Sequence, residues 1–219
     1  MLEDSSMVRE LACNNLLELT DCRRSDAALF GFYTSLRVNG RWRSLAEALA
    51  EAREAYRVKP GYPDYSLVIS HKRREEINAR VNRAKKPRTG AVHVPYRPAE
   101  ADGEAPAVAP ANRPQSCWLW AGMELVGAGR KCKKGLFYTL KSISSDEAVL
   151  ECMGVELKMS TPELVRSCRL PHALTYSSSQ GLTLKGRVRL CDTHWPHFTT
   201  QHLYIGSSRA TSNDLLEVC

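Results

Sequence analysis

The residues best suited to chemistry lie near the C-terminus, where Gly206-Ser207-Ser208-Arg209-Ala210-Thr211-Ser212 sets a single arginine among small hydrogen-bonding residues. Small neighbours allow close approach, and the planar guanidinium fork binds phosphate oxygens in pairs, so the run reads as a way to aim Arg209 at a phosphate. It follows an apolar stretch, Leu203 to Ile205, that must end as a strand or helix just before the arginine. Upstream, Ala173 and Leu174 enter a polar turn closing in Gln180-Gly181, followed by a β-rich segment from Arg187 to Leu190. Far earlier in the chain, Arg23 and Arg24 precede a helix signalled by Leu29, Phe30, Phe32, Tyr33 and Leu36, with Ser25 or Asp26 as its cap. On their own these two arginines equally suit a solvated pair.

Other constellations carry weaker chemistry. Cys191, Asp192, His194, His197 and His202 are metal-ligand types, but structural zinc sites usually join two separate knuckles and here one cluster stands alone, so no metal is expected. Neither Ser179 nor Ser208 lies in a nucleophile elbow. Lys72, Arg73, Arg74, Arg80, Arg83, Lys85, Lys86 and Arg88 are offset only by Glu75 and Glu76, which suits either a polyphosphate or a solvated helix face.

These residues need elements to hold them. Leu67 to His71 reads as a buried strand, and Lys72 to Ala84 as the helix after it, with Ile77 and Val81 inward. Strand, polar turn and helix form half of a βαβ unit, whose ligands meet the carboxyl end of the strand. Leu45 to Tyr56 is a run of strong helix formers, and in residues 8–22 the spacing of Val8, Leu11, Leu16 and Leu19 suits a short helix leading to a strand or turn at Leu19-Thr20. Residues 87–116 turn Pro- and Ala-rich with no hydrophobic period and read as a linker. Then short apolar runs (Met123 to Val126, Leu136 to Leu140, Ala148 to Cys152, Val155 to Met159) alternate with turn residues, the pattern of a small antiparallel barrel. The 219 residues are 43% hydrophobic and 25% charged, enough for a real core, and the net charge of +7 favours an acidic partner such as nucleic acid. No apolar run reaches membrane-spanning length, no signal peptide opens the chain, and eight dispersed cysteines without a C-x-x-C pair suit reduced thiols, so a soluble, intracellular protein is expected, with nucleus and mitochondrion both compatible.

Ala173-Leu174-Thr175-Tyr176-Ser177-Ser178-Ser179-Gln180-Gly181-Leu182-Thr183-Leu184 and Gln201-His202-Leu203-Tyr204-Ile205-Gly206-Ser207-Ser208-Arg209-Ala210-Thr211-Ser212 together resemble motifs V and VI of superfamily 1 DNA helicases, in the branch of RecD, Dda and the Pif helicases. There the patterns run A-x-T-x-H-K-S-Q-G-x-T-L and Q-x-L-Y-V-A-L-S-R-A-T-S. The family's His-Lys is Ser177-Ser178 here, which removes a cation. Leu19-Thr20, Arg24, Asp26 and Arg37-Val38-Asn39-Gly40 resemble motif IV, with Ser25 in place of its glutamine and the spacing one residue short.

The resemblance implies an α/β fold: the second RecA-like domain of a motor, a mostly parallel sheet flanked by helices, with an inserted small SH3-like β-barrel. It implies four parts: the first part of that domain in 1–86, the linker in 87–116, the barrel in 117–168, and the remainder with motifs V and VI in 169–219. Arg209 and Arg24 would reach a nucleotide in trans, and Gln180 and Gly181 would couple it to DNA movement. Thr175, Ser179, Ser70 and His71 would meet backbone phosphates, although a histidine at a strand end is as often structural. Lys131, Lys133 and Lys134 with Trp118 would offer charge and stacking to single-stranded DNA or RNA, unless the indole is core. Neither a Walker A loop, G-x-x-x-x-G-K-S/T, nor a Walker B acid occurs in the sequence. The chain is therefore expected to lack the first RecA-like domain, to need it in cis or trans, to engage ATP and Mg2+ only within a complete motor, and to be inactive alone. A non-catalytic nucleic-acid-binding module derived from a helicase is the competing expectation.

Overall fold

The computed structural model describes Glu10 and residues 22–96 and 113–219. The helix expected near the N-terminus, with Leu19-Thr20, lies outside the described residues, as does the middle of the Pro-rich stretch.

Helix α1 (Ala27–Ser35) starts where Asp26 Oδ1 accepts the Leu29 amide at 2.8 Å. It buries Leu29, Phe32 and Tyr33 and runs into a two-stranded hairpin, β1 (Arg37–Val38) and β2 (Arg41–Trp42). Asn39 (φ 48°) and Gly40 (φ 76°) form the hairpin turn, both left-handed, as a tight two-residue turn requires. Helix α2 (Leu45–Ala55) turns Ala48, Leu49 and Ala52 inward.

Strand β3 (Tyr65–Val68) is buried at every residue, the mark of a central parallel strand. It stands between β11 (Ala173–Thr175) and β12 (Val188–Leu190), and β13 (Leu216–Val218) completes a four-stranded sheet in the order β11-β3-β12-β13. Every pairing in it is parallel. Helices α1, α2 and α5 (Thr200–Ser207) supply the core on one face, with Leu29, Leu49, Leu67, Leu174, Leu190 and Leu203. Helix α3 (His71–Lys85) covers the other, with Ile77 and Val81 on Val68 and Ala173.

Two asparagines four residues apart bind α3 to strand edges. Asn78 Nδ2 donates to the Ala173 carbonyl at 3.1 Å, and its Oδ1 accepts the Ala173 amide at 2.9 Å. Asn82 does the same for Trp118, at 2.8 Å in both directions. Each amide side chain stands in for a neighbouring strand and satisfies a backbone pair that burial would otherwise orphan.

The second unit is a curled antiparallel sheet in the order β10-β6-β7-β8-β9: β6 (Glu124–Gly127), β7 (Phe137–Ile143), β8 (Glu147–Cys152), β9 (Val155–Ser160) and β10 (Cys168–Arg169). An irregularity between Leu140 and Ser142 bends β7. Helix α4 (Thr161–Ser167) connects the two edge strands and adds Leu164 and Val165 to a core of Leu125, Leu140 and Leu150. One pairing departs from the sequence reading: β5 (Cys117–Leu119) joins β4 (Val92–Val94), a strand inside the stretch read as linker. Val-His-Val is too short to show a period, yet Val94 is buried in the second core. Among the described residues no helix is long and apolar enough to cross a membrane.

Candidate functional site

In open α/β sheets ligands gather at the carboxyl ends of the strands. Here that edge is formed by the ends of β3, β11 and β12, and the turn after β11 is closed by several side-chain hydrogen bonds. Ser178 Oγ donates to the Thr175 carbonyl at 3.0 Å and accepts the Thr175 amide at 3.1 Å, while Thr175 Oγ1 accepts the Ser178 amide at 3.2 Å. Ser179 Oγ donates to the Tyr176 carbonyl at 2.8 Å. The Tyr176 hydroxyl, pushed well above its ordinary pKa by burial, donates to the Cys191 carbonyl at 2.9 Å. The result is a closed short-helical turn, Ser177–Ser179, that exposes Ser177, Gln180 and Gly181. Thr175 and Ser179 are buried, with both hydroxyls engaged by their own turn, so neither is presented to a phosphate. Small hydroxyls in a tight turn satisfy the local backbone first.

Arg209 follows α5 and reaches back across this turn. Its Nε donates to the Ile205 carbonyl at 3.1 Å, one terminal nitrogen to the Leu182 carbonyl at 3.3 Å, and the other to Ser208 Oγ at 2.7 Å. The Leu184 amide donates to the Arg209 carbonyl at 2.9 Å, and Leu184 bridges Ala210 in parallel. Sequence segments around 182 and 209 are thus joined by both backbone and guanidinium. Close approach depends on Gly206, where a Cβ would come within 2.6 Å of Leu190 Cδ2 and 2.9 Å of Tyr176 Cε1.

Arg24 arrives from the other end of the chain. Asp26 accepts the Asn213 amide at 2.7 Å, and its own amide donates to the Thr211 carbonyl at 3.3 Å, which docks the Arg24 segment beside Arg209. The amides of Leu29 and Asn213 hold the Asp26 carboxyl below the usual carboxylate range. Arg24 is exposed. Burial, and then the Arg24 charge, lower the Arg209 pKa, as expected for two guanidiniums on one face. All of Arg209's hydrogen-bond acceptors named above are neutral. Tyr33, Tyr204 and Trp42 continue this face as edge-to-face rings with centroids 5.8 and 5.6 Å apart. Burial pushes the nearby Cys22 thiol up, but hydrogen bonds with Ser25 and Tyr33 outweigh it and bring the pKa to about 7.

Ser70 and His71 stand at the end of β3. Ser70 Oγ accepts the Arg73 amide at 3.2 Å as the cap of α3. His71 is half-buried, and burial followed by the charges of Arg74, Arg113 and Arg169 lowers its pKa. The lysines read as a DNA-facing turn lie between β6 and β7. Lys133 and Lys134 are exposed, and Lys131 pairs with Glu163 at 2.8 Å. Trp118 does not share their sheet. It stands on β5, with the Lys86 ammonium 4.0 Å from its ring centroid and the His93 ring 4.9 Å away, so a base could stack there only by displacing one of them. Among the metal-type residues, Asp192 accepts the Ile69 amide and His202 completes the capping box of α5 with Thr199. The sequence reading missed the two asparagine clamps, for which the only signal is Asn at the same helical spacing as Ile77 and Val81.

By sequence, no protein-family model and no curated protein matches this chain. By structure it is similar to Pif1 helicases. A structure of two coordinating Pif1 helicases unwinding forked duplex DNA superposes with TM-score 0.59 at 14% identity, over 98% of this chain and 56% of that one. A Bacteroides Pif1 in complex with ADP-AlF3 and single-stranded DNA gives 0.58 at 14% identity, over 98% and 58%. Pif1 from Candida albicans gives 0.55 at 14% identity, over 88% and 53%. The chain therefore shares the fold of part of these helicases and spans little more than half of their length.

Proposed function

We propose that this chain is the C-terminal portion of an ATP-dependent DNA helicase: a second RecA-like domain built on the parallel sheet, with the curled sheet as its inserted SH3-like barrel. In this reading Arg209 is the arginine finger and Arg24 its neighbour at the transferring phosphate, while the exposed Gln180-Gly181 turn links nucleotide to strand movement. The observation that carries it is the guanidinium of Arg209, held in place by neutral acceptors beside Arg24, its charge left for a ligand. Two such arginines suit the phosphates of ATP. They do not suit Mg2+, which takes oxygen ligands that a guanidinium lacks; in this reading the metal and a phosphate loop would come from the first RecA-like domain. Single-stranded DNA is the expected partner, met by Ser70, His71 and the Lys131, Lys133 and Lys134 turn.

The purified chain alone should show negligible ATPase activity, and robust magnesium-dependent turnover would contradict the assignment. When a phosphate-loop domain is supplied, Arg209→Ala should lower hydrolysis by about 10³-fold with DNA binding retained. Equal loss of both would remove the finger role.

One observation favours a second reading, a non-catalytic nucleic-acid-binding module: Ser177-Ser178 stands where the resembled motif has His-Lys. Failure of any supplied motor domain to restore hydrolysis, with strongly salt-dependent binding of single-stranded DNA intact, selects it.

A further inference from the structure

The strand edges of this molecule are finished unequally. At the outer side of β11, Asn78 bonds both backbone groups of Ala173, and at that of β13 the Val218 amide donates to the Tyr56 carbonyl at 2.8 Å. Strand β10 is only two residues long. Strand β9 differs from all three: it ends the curled sheet, pairs with β8 through all six of its residues in one unbroken register, and has no strand on its other side. A long regular edge of this kind is a template for a further strand.

The β8–β9 hairpin fixes which groups face outward. Met153 (φ 53°) and Gly154 (φ 78°) form a two-residue turn closed by Cys152 and Val155. The closing pair of such a turn exchanges hydrogen bonds, and bonded and unbonded pairs alternate from there, so Glu156 and Lys158 turn their amides and carbonyls away from β8. Among the described residues no backbone group meets them on that side. Side chains alternate as well. Val155, Leu157 and Met159 share the core side with their β8 partners Cys152, Leu150 and Ala148, and Glu156 and Lys158 are exposed on the opposite side. Met159 is 4% exposed, but Val155 is 68% exposed. Glu156 lies across from Glu151, which already pairs with Lys141 at 3.3 Å, and like charges set opposite each other cost stability. Among the described residues neither Glu156 nor Lys158 takes part in an ion pair.

We propose that β9 is the contact surface for a second copy of this chain, paired antiparallel about a two-fold axis at Leu157. The segment Val155-Glu156-Leu157-Lys158-Met159 is self-complementary in that register. Glu156 faces the partner's Lys158, and symmetry makes this pair twice; Val155 faces the partner's Met159, and the two Leu157 side chains meet. The register also sets opposite each other the two residues whose backbone groups point outward, so each can exchange both of its hydrogen bonds. Parallel pairing in register would set Glu156 against Glu156. The second strand covers Val155 and brings Glu156 the cation it lacks. One strand pair covers less than a standard interface of about 1,600 Å², so the dimer is weak and forms at micromolar concentrations and above. The pairing does not depend on the helicase reading.

The test is sedimentation equilibrium of the full chain from low micromolar to several hundred micromolar protein. The wild-type mass should rise toward that of two chains and stop there. Lys158→Glu and Glu156→Lys each turn two attractive pairs into two repulsive ones, and each should weaken the dimer about tenfold. Both side chains are exposed, so both variants should keep the wild-type circular dichroism. An equimolar mixture of the two variants should associate again, because every charge then meets its opposite, and the double variant that exchanges the two charges should dimerise like the wild type. A chain that stays monomeric throughout overturns the proposal. So does a dimer that neither single variant weakens, which would use another face, and so does growth beyond two chains, which only open-ended pairing gives.

Discussion

Two arginine pairs in this molecule use the same side chain to opposite ends. Arg187 and Arg189, on one face of the β12 segment, converge on Glu217 of β13: each Nε lies 2.7 Å from a different carboxylate oxygen. Their remaining nitrogens donate to the carbonyls of Lys59, Pro60 and Gly61, and Glu217 is fully buried. That charge is consumed in closing the edge of the parallel sheet over the loop before β3. Arg209 and Arg24 lie beside each other on a different face of the domain, and Arg209 has carbonyls and a hydroxyl as its acceptors. A guanidinium neutralised inside the fold stabilises it and offers little to a ligand; one positioned by neutral groups stabilises it little and keeps its charge. Residue type cannot distinguish these uses, but the partner can.

The largest expected effect tests that distinction directly. Glu217→Gln removes the shared carboxylate from two guanidiniums and should cost about 3–5 kcal/mol in urea unfolding, toward the low end because both arginines retain some contact with water. Arg209→Ala should cost about 1 kcal/mol in the same assay. Similar losses for the two variants would break the comparison, since Arg209 would then be a structural residue like Arg187.

A buried group that the fold keeps uncharged sharpens it further. His172, just before β11, is buried, and burial, followed by the Lys85 charge, lowers its pKa from 6.5 to about 4. The folded state therefore resists protonation that the unfolded chain accepts. Stability is complete above the unfolded value near 6.5 and declines as pH falls through the window from 6.5 to about 4, by about 3 kcal/mol once both states are protonated. His172→Asn should flatten this part of the stability profile. An unchanged profile would show that other groups govern acid sensitivity.

What the sequence disclosed was mostly local. The Asp26 cap, the inward pair Ile77 and Val81, and four of the strands of the curled sheet all follow from side-chain periodicity and turn residues close in the chain. Arg209 was legible as an arginine among small residues, but its neutral setting depends on the distant Leu182 carbonyl meeting it after folding. Asn78 and Asn82 bond to strands far away in the chain, and an amide aimed at a distant backbone leaves no periodic trace. For the same reason β4 read as linker: three residues acquire strand character only from their partner β5. Thr175 and Ser179 are a different case. Their type suited a phosphate, while the turn that holds them uses the same hydroxyls to satisfy its own backbone.

Gly206 gives a more indirect effect and bears on both arginine pairs, because it lies against Leu190 of β12 and near the end of the helix that Arg209 follows. Alanine there would put its Cβ 2.6 Å from Leu190 Cδ2 and 2.9 Å from Tyr176 Cε1. Leu190 and Tyr176 are both buried, so α5 has to move outward, at a cost of about 1–3 kcal/mol. That movement would draw Arg209 from the Leu182 carbonyl while leaving the Arg189–Glu217 pair, which joins two strands, in place. Gly206→Ala should therefore behave as a partial Arg209 variant in motor-supplemented hydrolysis, with a stability loss no greater than that of Glu217→Gln. Hydrolysis at the wild-type rate in a demonstrably destabilised Gly206→Ala chain would mean that the position α5 gives Arg209 does not matter to the nucleotide.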